Sequence, residues 1–218
     1  MKTILKRFPF SLTMLALLGL TAIWTHTQAA TISAEWLDRL GFAPLDLLAL
    51  DLGRLITSAL VTSGGRVFWE ALGMVAFAVG LSEWLTGSRC AALTFWGVHF
   101  STLLIESLFV VLPMHWAGAT LGSLVALTRD VGPSAGYFGA LGLVSAHLKP
   151  PWNLVSGGVI FVALEISLLH ISGNNTLGME VSADIAHIIA FPLGWYSSRL
   201  VKTLVNNDEN HTTTIQAR

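Results

Sequence analysis

Two polar residues in apolar surroundings have the types that nucleophilic catalysis requires. Ser134 stands in the run Gly132-Pro133-Ser134-Ala135-Gly136, and His187 lies near the start of a later apolar stretch. A serine hydroxyl becomes a nucleophile when a histidine within hydrogen-bond reach takes its proton. The Gly-x-Ser-x-Gly pattern alone is weak, because a serine at a helix start often only caps the helix. The hydrolase turn that carries this pattern also needs a preceding strand. The hypothesis of a Ser134–His187 pair therefore depends on the elements that carry the two residues.

Three further ionisable residues lie within apolar stretches. His99 and Glu106 are seven residues apart and share one face of a predicted helix, as a proton relay requires, and Glu165 could complete a metal site with them. The sequence has no His-Glu-x-x-His motif, so a zinc metalloprotease is not supported. The single cysteine, Cys90, excludes a disulfide framework and a cysteine-based metal site. We expect a buried ion pair or hydrogen bond at His99 and Glu106, and no metal or cofactor.

The composition indicates a membrane protein. Of 218 residues, 53% are hydrophobic and only 11% are charged, whereas soluble domains have about 25% charged residues. So few charges cannot coat a surface that faces water. We therefore predict an integral membrane protein in contact with the lipid bilayer, and nucleic-acid binding and intrinsic disorder are excluded.

Apolar stretches of roughly 17–25 residues are long enough to cross a bilayer as helices. They divide the chain into a first transmembrane helix (1–30), a partly embedded amphipathic loop (31–66), a helical core (67–201) and a polar cytoplasmic tail (202–218). A cleavable signal peptide is the alternative for 1–30, but the long apolar run ending at the interfacial Trp24 favours an uncleaved helix. Residues 114–128 are expected to form a long loop or re-entrant segment. The six predicted spans are 8–27, 67–85, 91–112, 133–146, 152–169 and 185–200.

The basic residues orient these six helices. Cytoplasmic segments carry an excess of Lys and Arg, and placing the N-terminus inside gives eight basic residues on the cytoplasmic side against four outside. Both termini are then cytoplasmic, and a bacterial cytoplasmic membrane is the expected location. The inner set is Lys2, Lys6, Arg7, Arg89, Lys149, Arg199, Lys202 and Arg218, and the outer set is Arg39, Arg54, Arg66 and Arg129.

The segments around Ser134 and His187 resemble the fourth and sixth helices of rhomboid intramembrane serine proteases. The family's Gly-x-Ser-x-x-x-Phe-Gly-x-x-Gly run falls on Gly132, Ser134, Phe138, Gly139 and Gly142. Its Ala-His motif, with a glycine seven residues beyond the histidine, falls on Ala186, His187 and Gly194.

Two upstream segments extend the resemblance. Arg54-Leu55-Ile56-Thr57-Ser58 resembles the family's Trp-Arg-Leu-Ile-Thr-Ser, with Gly53 in place of the tryptophan. Glu83 with Gly87-Ser88 resembles its Glu-x-x-x-Gly-Ser at the end of the second helix. The resemblance therefore covers four ordered segments between Arg54 and Gly194.

The resemblance implies a six-helix rhomboid-like bundle and a Ser–His dyad without an acidic third member. His187 would take the proton of Ser134, whose oxygen attacks a scissile carbonyl of a transmembrane substrate protein to form an acyl-enzyme. Phe138, on the same helical face as Ser134, would pack under the imidazole, and Gly132 would support the site. We expect Asp184 to cap the sixth helix, although it could instead orient His187. Close approach of the fourth and sixth helices is expected at Gly136, Gly139 and Gly142, facing Ala190 and Gly194.

One departure concerns the oxyanion site. Where active rhomboids have a His and an Asn at the start of the second helix, this chain has Val67 and Ala71, and an earlier loop His is replaced by Thr62. Losing one oxyanion donor costs roughly 10²–10³ in rate. The backbone N–H of Ser134 and one from 114–128 would remain. We expect Arg66 to pair with Glu70, although it could instead supply a replacement donor. The sequence favours a serine protease over a rhomboid-like pseudoprotease that binds transmembrane helices.

Overall fold

The part of the chain that the structure describes is mostly helical. The computed structural model describes residues 7–169 and 177–216, with the side chains of the second segment described for residues 178–200. The only strand-like pairings in these ranges are two isolated antiparallel bridges, Thr31 with Gly64 and Phe42 with Asp130. The main helices are α1 (Pro9–Thr25), α2 (Ala34–Leu40), α3 (Arg66–Thr86), α4 (Ser88–Trp116), α5 (Thr120–Leu127), α6 (Ser134–His147), α7 (Trp152–Leu169) and α8 (Leu177–Gln216).

Three of these helices, α3, α4 and α7, are long and apolar enough to cross a membrane. They have 21, 29 and 18 residues, and a rise of 1.5 Å per residue makes 20 residues about 30 Å long, the thickness of the hydrocarbon core. Helix α1 is apolar but shorter, with 17 residues. The all-α membrane class is thus supported, while the arrangement of six spans remains a prediction.

The predicted boundaries differ most around the fifth and eighth helices. Residues 114–128, predicted as a loop or re-entrant segment, contain the end of α4, a turn at Gly118 and the short helix α5. Helix α8 begins at Leu177, eight residues before the predicted start at 185, and its backbone continues to Gln216 through most of the predicted tail. Three of the basic residues used for the orientation, Lys2, Lys6 and Arg218, lie outside the described residues.

The loop 31–66 folds into α2 and three single turns, Pro44–Leu47, Arg54–Thr57 and Ser58–Leu60. Arg129 ties this loop to the segment before α6, since it donates to Asp46 at 2.5 Å and to Asp38 at 3.0 Å. Within the loop, Arg54 donates to the backbone carbonyls of Asp38 and Gly41. The contacts of Arg129, with the Phe42–Asp130 bridge, fix the chain just ahead of Ser134.

Helix α6 lies between α4 and α8, and small residues allow both of these helices to approach α6 closely. A Cβ added at Gly194 would lie 1.9 Å from the carbonyl oxygen of Gly139, and one at Gly142 would lie 2.2 Å from that of Phe191. The predicted close approach of α6 and α8 is therefore present. A Cβ added at Gly136 or Gly139 would instead contact Phe95 or Val98 of α4, respectively. The expectation that Gly136 serves the contact with α8 is therefore wrong. Ala190 is fully buried beside Val98 and Ala135.

Glu83, at the end of α3, binds the first turn of α1. Its carboxylate accepts hydrogen bonds from the backbone N–H groups of Phe10 and Ser11, both at 2.8 Å, and from the Ser11 hydroxyl at 2.6 Å. The first four N–H groups of a helix have no partner within the helix. The buried Glu83 carboxylate satisfies two of them and thereby fixes α1 against α3.

Candidate active site

Ser134 is the first residue of α6 and lies at the end of a constrained turn. Gly132 has a φ of 147°, which favours glycine, and its N–H donates to the Ser58 carbonyl at 2.8 Å. The N-cap position is Pro133, and no side chain caps the helix. Ser134 is therefore not the N-cap, and the first backbone N–H groups of α6 have no side-chain cap.

Ser134 and His187 line one cavity of about 230 Å³ between the start of α6, the start of α3 and the first half of α8. The same cavity is lined by Val67 and Ala71, the positions that hold a His and an Asn in the resembled family. The structure therefore brings the residues that the resemblance singles out to one space, while the resemblance itself stays a prediction. Its other lining residues are Thr62, Ser63, Asp130, Val131, Gly132, Pro133, Tyr137, Met179, Glu180 and Ala183.

The His187 ring has a defined environment. The ring of Phe138 packs against it, with centroids 4.3 Å apart and planes inclined at 38°, as predicted from the helical spacing. On the ring edge, Nδ1 lies 3.6 Å from Oδ1 of Asp184. The other nitrogen, Nε2, is buried and has no hydrogen-bond partner among the described residues.

The structure shows no hydrogen bond between Ser134 and His187. Both side chains face the same cavity, but the predicted direct bond from the serine hydroxyl to Nε2 is not formed among the described contacts. Catalytic hydrogen bonds in enzymes without substrate are often long and tighten when the substrate binds. The unpartnered Nε2 is the atom that such a bond would use.

The donors available to an oxyanion differ from those expected. Val67 and Ala71 have no side-chain donor, but the Thr62 hydroxyl lies on a side chain that lines the cavity. Its Oγ1 is buried and has no partner among the described residues, which costs about 1–3 kcal/mol for a buried polar group. No residue of 114–128 lines this cavity in the described part of the chain.

Arg66 is not at the site. Its side chain is 88% exposed and donates to Glu70 at 2.8 Å, one turn further along α3. The prediction of an Arg66–Glu70 pair is confirmed, and the suggestion that Arg66 supplies a replacement oxyanion donor is wrong. The first turn of α3 directs residue 66 away from the cavity while residues 67 and 71 face it.

A second, smaller cavity of about 20 Å³ adjoins Ser134 on its other side. This volume is large enough for one water molecule. Polar residues from four parts of the chain line it, among them Ser58, His99, Glu106, Asp130 and Ser182. Ser182 donates to Glu106 at 2.8 Å, and Nε2 of His99 lies 2.9 Å from the carbonyl oxygen of Leu55.

His99 and Glu106 therefore have separate partners and form no ion pair with each other. Glu165, on α7, lines neither this cavity nor the larger one. Within the described ranges, no group of three His, Cys, Asp or Glu side chains is close enough to hold a metal ion. The expectation of structural hydrogen bonds at these residues is confirmed.

Asp130 is the site residue that the sequence analysis missed. It lines both cavities, and its carboxylate accepts the Val131 N–H at 2.8 Å. Burial raises the pKa of Asp130 from 3.8 to about 7. Its position in the polar stretch Thr128-Arg129-Asp130, four residues before Ser134, is the signal that could have identified it.

Comparison with known proteins adds no relative. No protein-family model matches the chain, and no curated protein or solved structure matches it.

Proposed function

We propose that this chain is a rhomboid-like intramembrane serine protease that cleaves transmembrane helices of substrate proteins. The observation that carries the proposal is the shared cavity of Ser134 and His187, in which the buried Nε2 of His187 has no partner among the described residues. The packing of Phe138 on the imidazole supports it. A serine beside an uncommitted, oriented imidazole is the arrangement that nucleophilic catalysis requires.

In the proposed reaction, Nε2 of His187 takes the proton of Ser134 while the serine oxygen attacks the scissile carbonyl. The protonated His187 then gives this proton to the leaving amine, and a water molecule hydrolyses the acyl-enzyme by the reverse sequence. Negative charge develops on the former carbonyl oxygen. The backbone N–H groups at the start of α6 stabilise that charge, since a helix N-terminus attracts anions, and the Thr62 hydroxyl adds a side-chain donor.

The membrane arrangement is part of the proposal. Helices α3, α4 and α7 have spanning length, and we place α1, α6 and the first part of α8 in the bilayer as well. Helix α6 has only 14 residues, and eight of them are buried between neighbouring helices, so its short length is shielded from lipid. Both termini are placed in the cytoplasm, in a bacterial cytoplasmic membrane.

Cleavage of a model transmembrane substrate in proteoliposomes tests the proposal. The wild-type chain should release two fragments, whereas Ser134→Ala and His187→Ala should release none. The matched control is Ser145→Ala, because Ser145 is a buried serine of the same helix that lines neither cavity. Cleavage that persists in Ser134→Ala would refute the assignment.

A second candidate function is a rhomboid-like pseudoprotease that binds transmembrane helices without cleaving them. The observation that favours it is the apolar pair Val67 and Ala71 facing the cavity. This alternative predicts that the wild type and Ser134→Ala capture the same substrate helix with equal affinity, and that neither releases fragments.

A further inference from the structure

Asp184 has a position that helix capping does not explain. The sequence analysis expected Asp184 to cap the last helix, but α8 begins at Leu177, seven residues earlier. The carboxylate therefore lies two turns inside the helix, where no unpaired N–H groups need it. The capping expectation is wrong, and the partly buried location of this charge needs another reason.

Both oxygens of the Asp184 carboxylate have specific neighbours. Oδ1 lies 3.6 Å from Nδ1 of His187, which is three residues further along the same face of α8. Oδ2 accepts a hydrogen bond of 2.9 Å from the hydroxyl of Ser167 in α7. The side chains of Asp184 and His187 are each only 15% exposed. The serine on the neighbouring helix thus holds the carboxylate at the edge of the imidazole.

We propose that Asp184 is a positioning residue for His187 and that Ser167 anchors it, so that the site is a Ser–His–Asp arrangement. This inference rests on the proposed protease function. A carboxylate beside Nδ1 keeps the proton on that nitrogen and leaves the Nε2 lone pair for Ser134. It also stabilises the imidazolium that forms when His187 accepts the serine proton.

The geometry matches this role on each side of the ring. Phe138 covers one face of the imidazole, Asp184 lies at the Nδ1 edge, and Nε2 faces no competing partner among the described residues. At 3.6 Å the Asp184–His187 contact is longer than a hydrogen bond. The electrostatic attraction between Asp184 and His187 strengthens when His187 becomes positively charged. Asp184 therefore stabilises the transition state more than the resting state.

Other ionisable groups share the cavity with His187 and enter the interpretation of any pH profile. They are Asp130 in the segment before α6, Tyr137 on α6 and Glu180 on α8. Glu165 is the matched control, because it is a carboxylate on α7, the helix that carries Ser167, and lines neither cavity. A change specific to Asp184 must therefore be absent from Glu165→Gln.

The test measures kcat, KM and the pH profile of substrate cleavage by the full chain in proteoliposomes. For Asp184→Asn we expect kcat to fall about 10²-fold or more, towards the 10⁴-fold loss of the corresponding change in soluble serine proteases, with KM unchanged. The acid limb of the profile should move to lower pH, because the imidazolium loses its carboxylate neighbour. Ser167→Ala should shift the limb in the same direction with a smaller loss of kcat.

The outcomes separate this inference from the proposed function. If the wild type cleaves in a Ser134-dependent manner while Asp184→Asn keeps both its kcat and its acid limb, the inference is overturned and the protease proposal stands. If the wild type has no Ser134-dependent activity, both are overturned. Should Asp184→Asn fail to fold, Ser167→Ala decides, and an unchanged acid limb in that variant overturns the inference.

Discussion

At the scale of single residues, the larger cavity beside Ser134 is lined by a threonine whose buried hydroxyl has no partner among the described residues. Thr62 replaces a histidine of the resembled family, and its buried Oγ1 lies among the cavity-lining residues without a partner. Val67 and Ala71 cannot donate a hydrogen bond from their side chains, so we expect the Thr62 hydroxyl to contribute to the stabilisation of an oxyanion. The backbone of α6 supplies the remaining donors.

Replacing Thr62 by valine tests this dependence with almost no change of shape. We expect Thr62→Val to lower kcat/KM by up to about 10²-fold, near the lower end of the cost of one oxyanion donor. The matched control is Thr102→Val, because Thr102 is equally buried and unpartnered but lines neither cavity. Equal effects of the two substitutions on substrate cleavage would show that Thr62 acts only through packing.

Asp130 makes the stability of the protein depend on pH. Burial raises its pKa from 3.8 to about 7, so between these values the folded state holds a proton that the unfolded state releases. The contribution of this group to the free energy of unfolding is therefore greatest at low pH and decreases as the pH rises to about 7. When the pH is raised from 5 to 8, the midpoint temperature of thermal unfolding in detergent should fall more for the wild type than for Asp130→Asn. Equal losses in the two proteins would contradict the assignment.

The sequence predicted those site residues whose positions depend on local helical spacing. Phe138 reaches the imidazole because it lies one turn beyond Ser134 on α6, and Val67 and Ala71 share a face of α3 for the same reason. Asp130 was missed because its burial depends on pairing with Phe42, which is distant in sequence. The wrong expectation for Arg66 has a related cause, since the direction of the first turn of α3 is set by tertiary packing.

At the scale of helices, the contact between α6 and α8 depends on glycine. A Cβ at Gly194 would lie 1.9 Å from the Gly139 carbonyl oxygen, a distance that requires the two backbones to separate. We expect Gly194→Ala to lower the free energy of unfolding by at least 1–3 kcal/mol, the usual cost of overpacking, and to reduce cleavage because Ser134 and His187 lie on these two helices.

Gly158→Ala on α7 is the matched control, because nothing lies within 4 Å of the added methyl group. Alanine is about 1 kcal/mol more favourable than glycine in a helix interior, so this variant should be as stable as the wild type or slightly more stable. Chemical or thermal unfolding of both variants in the same detergent makes the comparison. A Gly194→Ala variant as stable as Gly158→Ala would exclude a tight α6–α8 contact.

Hydropathy located most helices but not the start of α8. The predicted span 152–169 matches α7, and 133–146 differs from α6 by one residue at each end. The first turns of α8 were missed because Glu180 and Ser182 interrupt the apolar pattern. Ser182 is nevertheless buried, since it donates to Glu106 of α4, and a hydropathy profile contains no information about that partner.

At the scale of the whole molecule, the proposed orientation rests on the distribution of basic residues in the sequence. With both termini in the cytoplasm, reporter fusions at Arg218 and within the loop at Arg39 should report opposite sides of the membrane. An alkaline phosphatase fusion should be active at Arg39 and inactive at Arg218, and a fluorescent cytoplasmic reporter should give the reverse. Activity of one reporter at both positions would contradict the six-span arrangement.

The proposed function depends on a reactive serine at the start of α6. Covalent labelling of the purified chain in detergent with a fluorophosphonate, followed by mass spectrometry of the modified peptide, measures this reactivity directly. The account predicts an adduct on Ser134 in the wild type, none in Ser134→Ala and a strongly reduced yield in His187→Ala. An unlabelled wild type, or an adduct that persists in Ser134→Ala, would contradict it.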